Sequence, residues 1–314
     1  MSAEGFVSDL GVRDDVDPPL GAVREIVARA LAEDILPVGD LTASLVPIER
    51  KATAAIKARE PGVLAGRLCA IETFAQVDPE ITSKWRVTDG ARLAAGDEVG
   101  VVSGRLRSLL TAERTALNFM CHLSGVATLA NRFVEAATGS DGTREVRILD
   151  TRKTTPGLRA LEKAAVRAGG GFNHRGSLSE AVLVKDNHRG GLTIAEAVAT
   201  AQSRWPGRMV EVECDTPEQV DEALRAGATM ILLDNMLPAE ASHCVRLARS
   251  YSSGTQGAGR VILEASGRVT LDTVALYAGA GVDAISVGAL THSAPALDLG
   301  LDIDVSGKAP GSKR

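Results

Sequence analysis

The chain has 314 residues, a hydrophobic fraction of 45%, a charged fraction of 24% and a net charge of −5 at pH 7. This length is enough for two domains, and the acidic balance argues against a surface that binds nucleic acid or an anionic membrane. Aromatic residues make up only 3%, so the core must consist mainly of Ala, Val, Leu and Ile, which suits parallel sheets covered by helices.

The sequence has the features expected of a cytoplasmic protein. It lacks a basic and then apolar signal peptide at its start, and no apolar run reaches the length of a membrane span. Residues 1–17 and 306–314 are predicted to be flexible, because they are rich in polar residues, Gly or Pro. The cysteines are far apart and predict neither a disulfide framework nor a zinc site; they are Cys69, Cys121, Cys214 and Cys244.

Residues 18–128 are predicted to form a small α/β domain. An amphipathic helix over Leu20–Glu33 begins it, and a second helix is expected over Ala65–Gln76. A long helical pattern from Leu109 to Ala137 follows, with an expected break at Ser124-Gly125, because Gly disfavours a helix interior. Three segments bounded by turn residues are predicted strands: Thr53–Arg59, Ser83–Val87 and Glu98–Leu106.

Residues 129–292 alternate between predicted strands and helices, which predicts a parallel sheet with right-handed crossovers. Six strands rather than eight indicate an incomplete α/β barrel, with a doubly wound open sheet as the alternative. The predicted strands are Val146–Asp150, Ala181–Lys185, Met209–Glu213, Met230–Asp234, Val261–Glu264 and Ala284–Val287. The predicted helices are Leu158–Ala168, Thr193–Ser203, Pro217–Arg225, Pro238–Ser250 and Thr270–Tyr277.

Each of the six predicted strands ends in residues suited to binding an anion or a cation. Because parallel α/β sheets build their active sites at the carboxyl ends of their strands, these residues are expected to share one site. The segment from Arg152 to Arg189 has eight basic residues and three acidic ones, which indicates a local anion site. In strand order, the terminal residues are Arg152 with Lys153, Lys185, Glu213, Asp234, Ser266 with Gly267, and Gly288.

A Gly-rich segment between the first two strands adds cationic groups. Gly169–Gly171 would let the backbone approach a ligand closely, although three glycines also fit a helix end and a connector. His174 and Arg175 follow soon after and favour the ligand interpretation.

Lys185 has two interpretations: a Schiff-base nucleophile, or a charge that binds an anion. Glu213 and Asp234 favour the second, because two carboxylates on adjacent strands suit Mg²⁺ and phosphate chemistry. Glu211 shares the face of Glu213, and its polar group is expected to be satisfied inside the barrel by a basic neighbour.

The ends of the last two strands predict a phosphate site. Ser266, Gly267 and Gly288 are small residues whose backbone N–H groups can approach a phosphate closely. His292 is a further candidate donor to the phosphate.

As a set, the motifs resemble those of the quinolinate phosphoribosyltransferase family. The resemblance runs from about Leu20 to Asp304 and includes Gly39–Thr42, Glu113–Asn118 and Leu123–Gly125. The remaining motifs occur in the family's order and approximate spacing: Asp150–Arg159, Gly169–Arg175, Leu183–His188, Val210–Glu213, Leu232–Asn235, Leu263–Gly267 and Ser286–His292.

The resemblance implies an N-terminal α/β sandwich, with segment 293–305 packed on it, and an incomplete α/β barrel. It implies a homodimer in which each N-terminal domain caps the partner's barrel; assembly beyond a dimer is left open. The implied substrates are quinolinate and 5-phosphoribosyl pyrophosphate, and the implied products are nicotinate mononucleotide, pyrophosphate and CO₂. Mg²⁺ is implied as the metal, without an organic cofactor.

The resemblance also implies roles for individual residues. Arg152, His174, Arg175 and Lys185 would hold the two carboxylates of quinolinate, with Arg114 supplied across the dimer. Lys153 and Lys185 would face the pyrophosphate, and Glu213 and Asp234 would position Mg²⁺ and the ribose hydroxyls. The 5′-phosphate would be held by Ser266, Gly267, Gly288 and His292.

One position departs from the family pattern, and three other functions remain as alternatives. Arg268 stands where the family often has a second Gly, so it must point outward or add a contact. The nearest alternative is a sister phosphoribosyltransferase that acts on nicotinate or another base. The others are a Schiff-base lyase that uses Lys185 and a non-catalytic sugar-phosphate sensor.

Overall fold

A computed structural model of the chain describes residues 16–139, 145–254 and 260–304. The segments predicted to be flexible lie outside the described residues, apart from residues 16 and 17. No helix in the described parts of the chain is both long and apolar enough to cross a bilayer. The chain divides into two compact units.

The amino-terminal unit contains residues 16–131, Thr155–Gly170 and 293–304 of the described chain. Its four-stranded antiparallel sheet has the order β12-β1-β5-β3, and β2 pairs with β4 in a separate ribbon. The strands are β1 (Lys51–Ala58), β2 (Gly62–Val63), β3 (Thr82–Trp85), β4 (Arg92–Leu93), β5 (Glu98–Arg105) and β12 (Leu299–Asp304). The helices are α1 (Leu20–Ile35), α2 (Arg67–Val77), α3 (Leu106–Thr138) and α4 (Arg159–Ala168), and the division between the units falls within α3.

Apolar periodicity explains the elements of this unit. Helix α1 buries Val23, Val27 and Leu31, which recur every four residues and therefore lie on one face. Strand β1 buries Ala54, Ile56 and Ala58 at alternate positions, and they belong to the core beneath the sheet.

The predicted break at Ser124-Gly125 is wrong, because α3 is continuous from Leu106 to Thr138. Both residues serve close packing instead. Ser124 Oγ accepts a hydrogen bond from Ala65 N at 2.9 Å and donates one to Ala65 O at 3.1 Å. A Cβ atom on Gly125 would lie only 2.0 Å from Pro295 O, so this position admits no larger residue.

The barrel unit contains Arg132–Thr154 and Gly171–His292, apart from the undescribed gaps. Its six strands are all parallel and have the order β6-β11-β10-β9-β8-β7. The strands are β6 (Arg147–Leu149), β7 (Val182–Val184), β8 (Val210–Cys214), β9 (Met230–Asp234), β10 (Ile262–Ser266) and β11 (Ala284–Ser286). The helices are α5 (Asp186–Arg189), α6 (Ile194–Arg204), α7 (Pro217–Arg225), α8 (Pro238–Gly254), α9 (Val274–Gly279) and α10 (Ala289–His292).

The strand order identifies an open α/β barrel rather than a doubly wound sheet. From β7 to β11 each strand pairs with the next in sequence, and β6 then pairs with β11. A doubly wound sheet would reverse its order at a switch point, and this one does not. Beyond β6, an isolated parallel bridge joins Leu149 to Phe172. All six predicted barrel strands are therefore confirmed to within about two residues, the usual uncertainty of an element end.

Candidate active site

The carboxyl ends of the six parallel strands bring the predicted polar residues to one end of the barrel sheet. Arg152 and Lys153 follow β6, and Lys185 follows β7. Glu213 and Asp234 lie in the last two positions of β8 and β9. Ser266 ends β10, and Gly288 follows β11 by two residues.

Lys185 and Glu213 form an ion pair at the ends of neighbouring strands β7 and β8. The Lys185 side chain is 42% exposed, whereas the Glu213 side chain is only 11% exposed. This pairing favours Lys185 as a charged group that binds anions over Lys185 as a neutral nucleophile.

Glu213 and Asp234 lie on the same side of the sheet. Glu213 is in register with Leu232, and Asp234 lies two positions further along β9, so both side chains project to one face. Each carboxylate has one oxygen engaged by a neighbour: Glu213 Oε2 by Lys185, and Asp234 Oδ2 by Asn235 Nδ2 at 2.6 Å.

Asp234 and Asn235 also contact the Ser266-Gly267 loop. Ser266 is in register with Asp234, and Asn235 N donates to Ser266 O at 2.9 Å. Gly267 has a φ of +90°, and Asn235 has a φ of +54°. The ends of β9 and β10 therefore form one tightly packed double turn, in which two successive strands present small or amide-bearing residues.

Lys153, Gly288 and His292 come together at the ends of β6 and β11. A Cβ atom built on Gly288 would lie 3.1 Å from both Lys153 Cδ and His292 Nε2. Thr291 Oγ1 donates to Lys153 O at 2.8 Å and fixes the backbone of the Lys153 loop. The side chains of Lys153 and His292 are exposed, so both are open to an anion.

Arg175 is 9% exposed, and its Nη1 donates to Ala181 O at 2.9 Å. Burial lowers the pKa of Arg175, and the nearby positive charge of Arg152 lowers it further. The negative charges of Glu211 and Glu180 oppose these two effects, and a bound anion would do the same.

The ring of His174 is enclosed by protein groups on both sides. Its Nε2 lies 2.9 Å from Glu211 Oε2 and 3.4 Å from Glu264 Oε2, and its Nδ1 accepts from Arg175 N at 2.8 Å. Burial lowers the pKa of His174, but the charges of Glu264 and Glu211 outweigh burial and raise it to about 10. Arg175 N donates to Nδ1 and therefore opposes a proton there, whereas the Glu211 and Glu264 carboxylates favour a proton on Nε2. The expectation that Glu211 pairs with a basic neighbour inside the barrel is confirmed at Oε2, while Oε1 accepts no hydrogen bond among the described residues.

Asp150 fixes the segment that contains His174 through hydrogen bonds. It is fully buried and accepts from His174 N at 2.9 Å and from Asn173 Nδ2. Asp150, Glu211 and Glu264 are therefore three buried acids that hold the segment from Asn173 to Arg175.

Arg114 lies in the amino-terminal unit, on α3, with an exposed side chain. It lines a cavity of about 340 Å³ together with Glu33, Asp34 and His122. Buried Glu162 accepts from His122 Nε2 at 2.8 Å or shares its proton, and it also accepts from Thr155 N at 3.1 Å.

The sequence interpretation missed Glu264 and the anchoring role of Asp150. Both carried a signal, because an acidic residue inside a run of buried apolar residues requires a partner. Glu264 stands between Leu263 and Ala265, in the same alternation that singled out Glu211.

Arg268 has a φ of +43° and an exposed side chain, so it points outward as one of the two expected outcomes. A left-handed residue at this position explains why glycine is favoured there.

Comparison with known proteins identifies the family to which the chain is similar. Residues 40–124 match the family profile "Quinolinate phosphoribosyl transferase, N-terminal domain", and residues 126–302 match its C-terminal domain. A nicotinate-nucleotide pyrophosphorylase [carboxylating] of Mycobacterium leprae is 42% identical over 91% of this chain and 99% of its own length. A probable enzyme of the same name from Bacillus subtilis is 37% identical over 91% of this chain and 95% of its own. The solved nicotinate-nucleotide pyrophosphorylase of Francisella tularensis is 38% identical, with a TM-score of 0.84 over 92% of this chain and 98% of that one.

Proposed function

The chain belongs to the quinolinate phosphoribosyltransferase family, and we propose how the residues of its barrel site carry out the family's reaction. The reaction joins quinolinate to 5-phosphoribosyl pyrophosphate and yields nicotinate mononucleotide, pyrophosphate and CO₂, a step of NAD biosynthesis. One observation best supports this assignment: three groups of side chains lie at the same end of one parallel sheet. They are the basic cluster (Arg152, Arg175 and Lys185), the carboxylate pair (Glu213 and Asp234) and the group formed by Lys153, Gly288 and His292.

Quinolinate carries two carboxylates, and the basic cluster is suited to a dianion. Arg152, Arg175 and Lys185 bind these carboxylates in the proposed complex. An opposite charge at about 4 Å contributes about 4 kcal/mol at an effective dielectric of about 20, before desolvation. Arg175 and Arg152 repel each other without a ligand, so a bound dianion relieves that repulsion as well. The ring nitrogens of His174 already have protein partners, so its proposed role is to hold Arg175.

Glu213 and Asp234 fit a Mg²⁺ ion. Both supply carboxylate oxygens, which Mg²⁺ prefers, and Mg²⁺ usually takes one or two protein carboxylates together with substrate phosphates and water. Among the described residues, each carboxylate has one oxygen that accepts no hydrogen bond. When bound, Mg²⁺ would neutralise charge on the pyrophosphate leaving group.

The 5′-phosphate is assigned to the loops after β10 and β11. Ser266 and Gly267 offer backbone N–H groups, and Gly288 lets Lys153 and His292 approach the same point. Lys153 also faces the departing pyrophosphate in this proposal. An exposed ammonium on a fixed backbone suits both roles, because the Thr291 hydrogen bond restrains the loop and not the Lys153 side chain.

The chemistry requires little covalent participation by the protein. The bond from ribose C1 to pyrophosphate breaks, its electron pair leaves with the pyrophosphate oxygen, and positive charge develops at C1. The pyridine nitrogen then bonds to C1 through its lone pair. The alkylated ring accepts the electrons of the adjacent carbon–carboxylate bond as CO₂ leaves, and a proton replaces the carboxylate. The protein contributes orientation and fixed charges that stabilise the developing charges.

We propose that the chain forms a homodimer, in which Arg114 of each subunit contributes to the active site of the other. Arg114 is exposed on α3. Five large apolar residues of the same unit are each more than half exposed, which is typical of a protein interface; they are Leu36, Val38, Leu41, Leu45 and Ile48. A cytoplasmic location stays a prediction.

The test of the proposed function is an assay with quinolinate, 5-phosphoribosyl pyrophosphate and Mg²⁺. We expect nicotinate mononucleotide and one CO₂ per turnover, and no turnover of nicotinate. Turnover of nicotinate without CO₂ would instead assign the sister activity. Trapping of Lys185 by borohydride with a carbonyl substrate would assign the lyase.

A further inference from the structure

Glu211 and Glu264 are two carboxylates in the interior of the barrel, and both are fully buried. Among the described residues, Glu264 accepts no hydrogen bond at either oxygen, and Glu211 accepts none at Oε1. Barrel interiors are ordinarily filled by branched apolar side chains, and a buried carboxylate without full hydrogen bonding is strongly unfavourable. Packing stability therefore does not explain these two residues.

Both carboxylates face one group, the ring of His174. Glu211 Oε2 lies 2.9 Å from Nε2, and Glu264 Oε2 lies 3.4 Å from it. The two acids come from β8 and β10, and alternate strands of a barrel contribute side chains to the same interior layer. The three side chains consequently form a compact buried cluster.

The geometry favours a proton, rather than a metal ion, at His174 Nε2. The ligand atoms of His174, Glu211 and Glu264 lie within 4.8 Å of one another, which is close enough for a metal. However, a metal on Nε2 would require a proton on Nδ1, and the Arg175 N–H already points at Nδ1 from 2.8 Å. Nε2 therefore carries the proton and donates toward the carboxylates.

The ring of His174 fixes the residue that follows it. Arg175 N donates to Nδ1, while His174 N donates to Asp150 Oδ1 at 2.9 Å. The Arg175 guanidinium is then held at its far end by Ala181 O. If the ring moved, the backbone of Arg175 would lose its hydrogen-bond acceptor, and the guanidinium would shift.

We propose that Glu211 and Glu264 are positioning residues, which hold the His174 ring and thereby place Arg175 for the pyridine dicarboxylate. This inference rests on the proposed function, in which Arg175 binds quinolinate. The two acids touch neither substrate. Removing one should weaken quinolinate binding and leave the binding of 5-phosphoribosyl pyrophosphate unchanged, because the latter uses Lys153, Gly288 and Ser266.

The kinetic experiment compares three variants of the full chain. Glu264→Leu should raise the KM for quinolinate about tenfold, as expected for a displaced charged contact, with the KM for phosphoribosyl pyrophosphate within about twofold of wild type. Glu264→Gln should raise the KM for quinolinate by a smaller factor, because it keeps the shape of the side chain and a polar oxygen beside His174 Nε2, and removes only the negative charge. The matched control is Leu263→Ala, the buried neighbour on β10, which should lower Tm and leave both KM values unchanged.

A measurement without turnover separates this inference from the proposed function. In protein labelled with ¹⁵N-histidine, the Nε2 proton of His174 should give a slowly exchanging signal, identified by its loss in His174→Asn. Glu264→Gln should shift that signal, and Leu263→Ala should leave it in place.

An unchanged signal in Glu264→Gln, or an equal rise of both KM values, would overturn the positioning role. Absence of quinolinate turnover in the wild-type protein would overturn the proposed function instead, and the NMR result would still decide whether the acids hold the ring. If Glu264→Leu does not fold, Glu264→Gln is used both for the comparison of KM values and for the NMR comparison.

Discussion

Gly267 packs against Asn235 so closely that a Cβ atom on Gly267 would lie 2.2 Å from Asn235 Oδ1. Gly267 also has a φ of +90°, which residues with a side chain rarely adopt. Gly267→Ala should therefore displace Asn235 and the adjacent Asp234. We expect kcat/KM to fall about tenfold or more and stability to fall by about 2 kcal/mol, measured by steady-state kinetics and thermal unfolding.

The control for that substitution is Gly279→Ala. Gly279 lies at the end of α9, and an added Cβ there would meet nothing within 4 Å. This variant should keep wild-type kinetics and Tm. Wild-type behaviour of Gly267→Ala would mean that the double turn after β9 and β10 tolerates rearrangement.

Arg268→Gly should stabilise the protein. Arg268 has a φ of +43°, and a non-glycine residue in this region is disfavoured by about 1 kcal/mol. We expect Tm to rise by about 2 °C in a thermal melt. Arg268→Ala keeps the Cβ atom and should give no such rise; an equal rise in both variants would attribute the effect to the Arg268 charge rather than to the backbone.

Glu213→Gln should raise the Mg²⁺ concentration needed for half-maximal activity. The substitution keeps the shape of the side chain and removes the negative charge that we assign to the metal site. A titration of Mg²⁺ at saturating substrates measures the shift, which we expect to be about tenfold or more. Asp221→Asn, at an exposed ion pair on α7, is the control for general charge effects. An unchanged titration in Glu213→Gln would remove this residue from the metal site.

Mixing two inactive variants should restore activity if subunits share sites. A mixed dimer of Arg114→Ala and Lys185→Ala has one site with both native residues and one site with neither. Random exchange of subunits should recover about a quarter of wild-type activity. The assay follows nicotinate mononucleotide after the variants are unfolded and refolded together. No recovery, with mixed dimers demonstrated by two different affinity tags, would place Arg114 in a site within its own chain.

Asp78 should make stability depend on pH in acid. The Ser108 hydroxyl holds the pKa of Asp78 below its ordinary value; burial opposes this, and Glu80 N and Arg105 contribute in the same direction as Ser108. Since the folded pKa is lowered, the stabilisation is present above about pH 4 and is lost as pH falls through the folded pKa.

The corresponding variant is Asp78→Asn. It should lower the free energy of unfolding by about 1–2 kcal/mol at pH 7, and the difference from wild type should shrink below about pH 4 in urea titrations. Glu80→Gln, which removes an exposed ion pair with Arg105, should have a smaller effect. A difference that stays constant down to pH 3 would contradict the assigned cause.

Much of the barrel could be predicted because its strands and helices are regular apolar patterns that begin or end at polar, proline or capping residues. Met230–Asp234 was predicted with the observed bounds, since four buried apolar residues end at an acidic residue. Pro217–Arg225 was also predicted with its observed bounds, because Pro217 begins the helix and Thr216 caps it. The break at Ser124-Gly125 was wrong because these residues satisfy contacts with Ala65 and Pro295, which are distant in sequence.

The site was less predictable where a residue's role depends on what surrounds it. The family resemblance assigned His174 to the substrate, but only the coordinates place its two nitrogens against Glu211 and Arg175. The left-handed backbone of Arg268 likewise follows from the packed double turn and has no local sequence signal.

The pairing of β6 with β11, and of β1 with β12, bears on how the chain is made. In each sheet an early strand pairs with a strand that is far away in the sequence, so neither sheet can be completed until the later strand has been synthesised. During refolding, the early strands should therefore keep unpaired edges until these long-range contacts form, and we expect aggregation to increase with protein concentration.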